Sequence, residues 1–305
     1  MENNENMVFT NILPFDMLKT FYGGSFVQLA GESCIGKTTI ALQLALAFCQ
    51  SNKRVLFIDA NNTITDFRLK QCGLSNYLDK EFVYSKINSF EEVEEFLDEN
   101  ISTKKFNLII IDALPALINT GYLNLKRKGR DKGISIMNNN TNYDSRPLNL
   151  FIRKYKAVAC EYNLNFLLIN DFRNKIVMPK GTVEKRFGVK SLDCASTTIL
   201  ELISLPNKAI YRKFKDIFKP LNNGTTLAIK VVKSNTCKPD LLIPIFLEFG
   251  LGLSLIHNII FYCMTKSQKF EALTLDKVSN YKSSSIAFYL KNRNEILEFY
   301  LKENF

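Results

Sequence analysis

Gly31-Glu32-Ser33-Cys34-Ile35-Gly36-Lys37-Thr38-Thr39 decides how this chain is read. The stretch fits the spacing G-x-x-x-x-G-K-[ST], with Gly31, Gly36, Lys37 and Thr38 in the fixed places. Glycines let backbone N–H groups close around phosphate oxygens, and a helix that starts there directs its positive N-terminal end at them. In such a loop Lys37 reaches the β and γ phosphates of a triphosphate, and Thr38 holds Mg²⁺. The flanks agree: Ser25 to Ala30 reads as a buried strand, and Thr39 to Phe48 as a helix of good helix formers. Strand, glycine loop and helix come in the required order.

Outward from this loop, further strands end in polar residues. Arg54 to Asp59 is a second buried strand closed by a carboxylate, and Asn107 to Asp112 a third. An Asp at the end of an apolar run downstream of a phosphate loop is the usual support for Mg²⁺, acting through water. Asn165 to Asn170 is a fourth buried strand, and Phe82 to Lys86 a short one. Helices are expected over Thr65 to Cys72, Ser89 to Glu99 and Pro147 to Tyr162. The alternation predicts an open, mostly parallel sheet with its ligands at the strands' C-terminal ends.

Two segments break that alternation. Gly121 to Arg146 carries Lys126, Arg127, Lys128, Arg130 and Lys132 ahead of an Asn run at 138–140. Asp171 to Lys190 is aperiodic and carries Arg173, Lys175, Lys180, Lys185, Arg186 and Lys190 against Asp171 and Glu184. Either alone reads equally well as a solvated run of charge. Because both follow core strands, a parallel sheet puts them on one edge, beside the phosphate loop. From Thr197 the texture becomes strand-like, over Thr197 to Ser204, Lys208 to Lys215, Thr225 to Lys233 and Ile243 to Phe249, with a turn at Asn222-Asn223-Gly224. These runs predict an antiparallel extension of the sheet. Leu253 to Lys269 and Ser283 to Tyr300 read as helices of a small basic C-terminal α/β domain. The expected organisation is a lead-in over 1–22, a core over 23–250 and that domain over 251–305.

The chain has 305 residues with 46% apolar content, enough for one α/β core and an appendage. Its net charge of +10 suits a polyanionic partner. No apolar run has spanning length, and Met1 to Met7 is rich in Asn and Glu, so an intracellular, cytoplasmic protein with no membrane partner is expected. Seven cysteines, at 34, 49, 72, 160, 194, 237 and 263, form no C-x-x-C pair and are expected to be buried reduced thiols. His257 lies in an apolar stretch and reads as structural.

Taken together, these motifs resemble the bacterial RecA recombinases, from about Phe9 to Phe249 and more weakly beyond. The residues that carry the resemblance are Gly23-Gly24, the phosphate loop, FIDA at 57–60, LIIID at 108–112, LLINDFRNKI at 167–176, Ala195-Ser196 and IKVVK at 229–233. LLINDFRNKI is the most specific, because a generic phosphate-loop enzyme has no reason to carry it. The resemblance implies a RecA-like P-loop NTPase core that uses ATP and Mg²⁺. It further implies a filament on single-stranded DNA that catalyses pairing and strand exchange with duplex DNA, in recombination and repair. It assigns Gly31 to Thr39 to the nucleotide, Thr38 and Asp112 to the metal, and Gly121 to Lys132 with Arg173 to Lys190 to the DNA channel. There, basic side chains neutralise phosphates, and Ile176, Val177, Met178 or Phe187 wedge or stack between bases.

Departures from the family pattern concern catalysis and assembly. The glutamate expected directly after FIDA is Asn61, the glutamine expected as γ-phosphate sensor is Asp171, and the aromatic expected on adenine is Arg68, whose flat guanidinium can still stack. Loss of a general base costs ~10² to 10⁴ in rate, so ATP binding with weak hydrolysis is expected. Since carboxylate and amide have changed places, Asp171 is also a candidate base, with Asn61 holding the water. Of a lysine pair that reaches a neighbour's ATP, Lys233 matches the first, Asn235 replaces the second, and Lys238 is a substitute. Only Met1 to about Val8 precede the matching core, where the family has a docking arm, so self-assembly is less secure than the fold. Two rival readings are an ATP-switched recombination mediator that pairs with a competent recombinase, and a hexameric helicase or clock-type ATPase on the same core.

Overall fold

The computed structural model describes residues 8–10, 12–104, 106–119, 142–177, 181–187, 190–204, 224–249 and 252–253. Lys126, Arg127, Lys128, Arg130, Lys132, Met178, Lys180, the strand expected at Lys208 to Lys215, the turn at Asn222-Asn223, Cys263, and the helices expected beyond Leu253, with His257, lie outside them.

The strands are β1 (Phe26–Gly31), β2 (Val55–Asp59), β3 (Phe82–Ser85), β4 (Leu108–Asp112), β5 (Asn165–Val177), β6 (Gly181–Arg186), β7 (Thr198–Ser204), β8 (Gly224–Lys233), β9 (Leu242–Glu248) and β10 (Gly252–Leu253). They form one sheet in the order β10-β9-β8-β7-β1-β5-β4-β2-β3, with β6 paired to β5. The pairs from β3 to β7 along this path are parallel, and β7–β8, β8–β9 and β9–β10 are antiparallel.

Strand side chains alternate between two apolar layers. Val27, Leu29, Val55, Phe57, Leu108, Ile110, Leu167 and Ile169 belong to one cluster, and Phe26, Leu56, Ile58, Ile109, Ile111, Phe166 and Leu168 to the other. Continuous apolar runs such as LIII at 108–111 therefore bury both faces of the sheet, as parallel strands covered on each side must. The first face takes α2 (Lys37–Gln50), whose Ile40, Ala41, Leu42, Leu44, Ala45, Phe48 and Cys49 are all buried. The second takes α4 (Phe90–Lys104) and α5 (Asn142–Glu161), through Val93, Leu97, Phe151, Ile152 and Tyr155. The short helices are α1 (Leu13–Met17), α3 (Asp66–Gln71) and α6 (Lys190–Ala195).

Four expectations are corrected. The run at Thr198–Ser204 is not part of the antiparallel extension: β7 pairs parallel to β1, with Val27 opposite Thr198, and the extension begins at β8. The crossover that permits this runs through α6, six residues long and too short to show a period in the sequence. Secondly, Asp171 to Arg186 is not an aperiodic loop, since β5 continues to Val177 and pairs antiparallel with β6. Thirdly, Leu253 does not begin a helix but pairs with Leu247 as a strand. Finally, α5 starts at Asn142, so the polar segment expected through Arg146 ends sooner and Pro147 lies inside the helix.

The thiols are also only partly as expected. Cys49 is buried, and burial pushes its pKa up to about 12. Cys34, Cys160 and Cys194 are exposed.

Candidate functional site

Parallel pairing brings the ends of β1, β2 and β4, with Asp171 partway along β5, to one edge of the sheet. Gly31 stands opposite Asp171, and Asp59 opposite Asp112. Gly31, the last residue of β1, lies opposite Leu202 of β7, and a Cβ there would lie 2.8 Å from the Leu202 carbonyl oxygen. Gly36 ends the loop at φ 108°, a left-handed conformation that a side chain would strain. No side chain caps the N-terminus of α2. The leading N–H groups of that helix are thus left to an anion. Glu32, Ser33 and Cys34 are exposed along the loop's rim, with Ile35 half-buried behind them.

Lys37 opens α2 and is buried. Its Nζ donates to the Gly31 carbonyl at 2.9 Å and to the Glu32 carbonyl at 2.5 Å. It also forms an ion pair with Asp171 Oδ1 at 2.8 Å. Thr38, next in the chain, brings its hydroxyl towards Asp112, where it favours the charged carboxylate. Hydroxyl, carboxylate, ammonium and uncapped helix end together make a donor set that fits a phosphate chain with Mg²⁺. Arg68 comes to the same place from α3: Thr65 caps that helix by accepting from the Arg68 N–H, and Arg68 Nη2 donates to Thr39 Oγ1 at 2.7 Å.

Asp112 is 4% exposed, and its pKa is raised to about 6. Burial is the main cause, helped by the Asp59 and Asp171 charges and opposed by the Thr38 hydroxyl and by Lys37. Because the folded pKa lies above the ordinary carboxyl value, the native state binds more protons than the unfolded chain between the two. The stability penalty is absent below pH ~4, grows as pH rises through about 6 and is complete above it. Asp112→Asn is therefore expected to raise unfolding stability by up to about 3 kcal/mol at neutral pH and by almost nothing at pH ~4. Urea unfolding at the two pH values checks this, and an equal gain at both would refute it.

Asp59 is buried for a different purpose. It accepts from the backbone N–H of Thr63 at 3.3 Å and of Ile64 at 2.9 Å, and from the Tyr84 hydroxyl at 2.8 Å. The turn that carries Asn61 is held by these bonds and by the Ala60 N–H, which donates to the Asp112 carbonyl at 2.8 Å. Asn61 itself is exposed. Since β4 lies between β2 and β5, the strands from which Asn61 and Asp171 come are two strand spacings apart, roughly 10 Å along the sheet.

Sequence reasoning missed a buried polar chain behind Asp171. Asn170 is fully buried; its Nδ2 donates to the Phe187 carbonyl at 2.8 Å and to Gln28 Oε1 at 3.2 Å. Its Oδ1 accepts from the Asp171 N–H at 2.9 Å, and the Phe187 N–H donates to the Asp171 carbonyl at 2.8 Å. Gln28 Nε2 in turn donates to Ser196 Oγ at 2.8 Å and to Asp193 Oδ1 at 3.2 Å. The signal was a polar residue inside each of two apolar strands, Gln28 and Asn170, which only strand adjacency turns into a pair.

The basic candidates divide. Arg173 and Lys185 share one register position of the β5–β6 hairpin, Lys175 stands opposite Val183, and Ile176 opposite Thr182. Arg186, expected in the DNA channel, is committed inside the protein, donating to Glu201 and, at 3.2 Å, to Asp193. Burial works against its charge, but these two carboxylates outweigh it and hold its pKa above the ordinary value. Lys233 lies at the end of β8, where its Nζ donates to the Asp193 and Cys194 carbonyls at 2.9 and 3.1 Å and so caps α6. Asn235 is exposed and donates to the Tyr22 hydroxyl at 3.3 Å; Lys238 is exposed. Among the described residues no helix is long and apolar enough to cross a membrane.

Comparison with known proteins agrees with this architecture. The profile of the RecA N-terminal domain matches residues 18–254. Protein RecA of Mycoplasma mycoides is 24% identical over 287 residues, covering 90% of this chain and 75% of the relative. Protein RecA of Mesoplasma florum is 24% identical over 291 residues, covering 92% and 80%. That of Borrelia hermsii is 24% identical over 276 residues, covering 88% and 72%.

Proposed function

This chain belongs to the RecA family, and from that premise we propose that it is an ATP- and Mg²⁺-binding protein that acts on single-stranded DNA in homologous recombination. The observation that carries the reading is the continuity of β5. One strand runs from the buried core, past Asp171 beside Lys37, into the basic hairpin. In this reading Lys37 and the α2 N-terminus bind phosphates, Thr38 and Asp112 hold Mg²⁺, and Arg68 lies against the base. Arg173 and Lys185 occupy one cross-strand position. Like charges directly opposite are unfavourable alone and are offset by a polyanion such as DNA. Lys126 to Lys132 supply the second basic segment of the channel.

Weak hydrolysis belongs to the same proposal. Asn61 carries no carboxylate to take a proton from water, and Asp171 is engaged by Lys37. That ion pair also favours the second reading, a mediator that uses ATP as a switch and works with a competent recombinase. Steady-state ATP hydrolysis with and without oligo-dT separates the two, with Lys37→Ala as control. DNA-stimulated turnover supports an active recombinase, whereas nucleotide binding without turnover supports the mediator.

DNA binding has its own expected result. Affinity for oligo-dT, followed by fluorescence anisotropy, should fall with salt by roughly 0.7 log units per log unit for each phosphate neutralised. Replacing Lys126, Arg127 and Lys128 together with Ala should flatten the slope. An unchanged slope would remove that segment from the channel.

A further inference from the structure

Lys37 is the group on which the phosphate chemistry of this site turns, and its donors are already spoken for. An ammonium has three N–H donors. Here they meet the Gly31 carbonyl at 2.9 Å, the Glu32 carbonyl at 2.5 Å and Asp171 Oδ1 at 2.8 Å. Two of these acceptors belong to the phosphate loop itself. The third is an anion supplied by the neighbouring strand, and it engages the lysine that in such a loop reaches the terminal phosphates of a triphosphate.

We propose that Asp171 makes this a site that selects nucleoside diphosphates over triphosphates, its carboxylate taking the γ-phosphate's place on Lys37. The inference rests on the nucleotide-binding reading above and adds the ligand class. A β-phosphate is served by the loop N–H groups and the α2 N-terminus, and it does not need the Asp171 position. A γ-phosphoryl group must do two things at once: take Lys37 from Asp171, and lie beside a displaced carboxylate of its own sign.

Asp171 has little freedom to withdraw. Its backbone is held by the Asn170 side chain through the N–H, by the Phe187 N–H through the carbonyl, and by pairing with Gly31. Only rotation of the side chain, which is 38% exposed, moves the carboxylate off the lysine. Repulsion between two such anions is softened by that exposure and by Mg²⁺. The expected preference for diphosphate is therefore on the order of 10- to 100-fold, short of complete exclusion.

The test is competition of ADP and of a non-hydrolysable ATP analogue against fluorescent mant-ADP, in Mg²⁺, on the full-length chain. The wild type should bind ADP at least ~10-fold more tightly than the analogue. Asp171→Asn keeps the shape and removes the charge, and it should bring the ratio of the two dissociation constants to within about threefold. Asp171→Gln, a second neutral amide, should act in the same direction and guards against a local packing effect of either variant. Equal affinities in the wild type, or an unaltered ratio in both variants, would overturn the inference while leaving the nucleotide site intact. Failure of every variant and the wild type to bind either nucleotide would overturn it together with the reading it rests on.

Discussion

Lys37→Ala is expected to abolish nucleotide binding by this protein, lowering affinity by ~10² to 10⁴-fold. Each hydrogen bond from a charged group contributes about 1.5–3 kcal/mol, and a lysine in this loop serves two phosphates. The substitution also removes the cation on which the Gly31 and Glu32 carbonyls and Asp171 converge. Asp171 is then left as an uncompensated anion beside incoming phosphate. The double variant Lys37→Ala with Asp171→Asn should accordingly bind better than Lys37→Ala alone, a non-additivity expected of groups in direct contact. Isothermal titration with a non-hydrolysable ATP analogue, alongside a thermal melt to confirm folding, reads both effects. Lys37→Ala binding within about threefold of the parent would remove Lys37 from the site.

The second large effect is expected at Asn170. Its amide is fully buried and joins β1, β5 and the segment after β6, through Gln28, Asp171 and Phe187. Asn170→Ala leaves the Gln28 Oε1, the Phe187 carbonyl and the Asp171 N–H without that partner. Each orphaned buried group costs about 1–3 kcal/mol, and with some of them relieved by water the total should be about 2–4 kcal/mol. Asn170→Asp is an informative companion, because a carboxylate cannot donate to the Phe187 carbonyl. At neutral pH it should be at least as costly as alanine despite its near-identical shape. Urea unfolding midpoints decide the matter, and midpoints equal to the parent's would show that the polar chain contributes nothing. Because Asn170 also holds the Asp171 backbone, surviving protein should show a changed diphosphate to triphosphate ratio.

Much of the candidate site's geometry was legible because a loop of this spacing is a local feature. The spacing of Gly31, Gly36, Lys37 and Thr38 sets backbone conformation and donor placement within one turn of chain, and strand ends such as Asp112 announce themselves after an apolar run. The parallel core was legible for the same reason, since runs like LIII at 108–111 bury both faces. What was not legible had no hydrophobic period or no length. The β5–β6 hairpin is a two-stranded basic ribbon, so its strands carry no hydrophobic alternation and read as a loop. The apolar run TILELIS at 198–204 reads the same whether parallel or antiparallel, and a six-residue helix decided between them.

Residue type and spacing by themselves thus determined the groups this chain brings to its sheet edge: a loop with phosphate-loop spacing, carboxylates at strand ends, and an amide and a carboxylate where the family pattern has their opposites. Tertiary structure alone decided who meets whom. Charge counting puts Arg186 among cations free for DNA, yet its neighbours Asp193 and Glu201 claim it. The same counting cannot say that Asp171, 134 residues beyond Lys37 in the chain (171 − 37), lies in register with Gly31 and takes the lysine's remaining donor. Local conformation depends on residues a few places away, which a sequence displays; an ion pair depends on which strands are adjacent, which only the folded sheet creates.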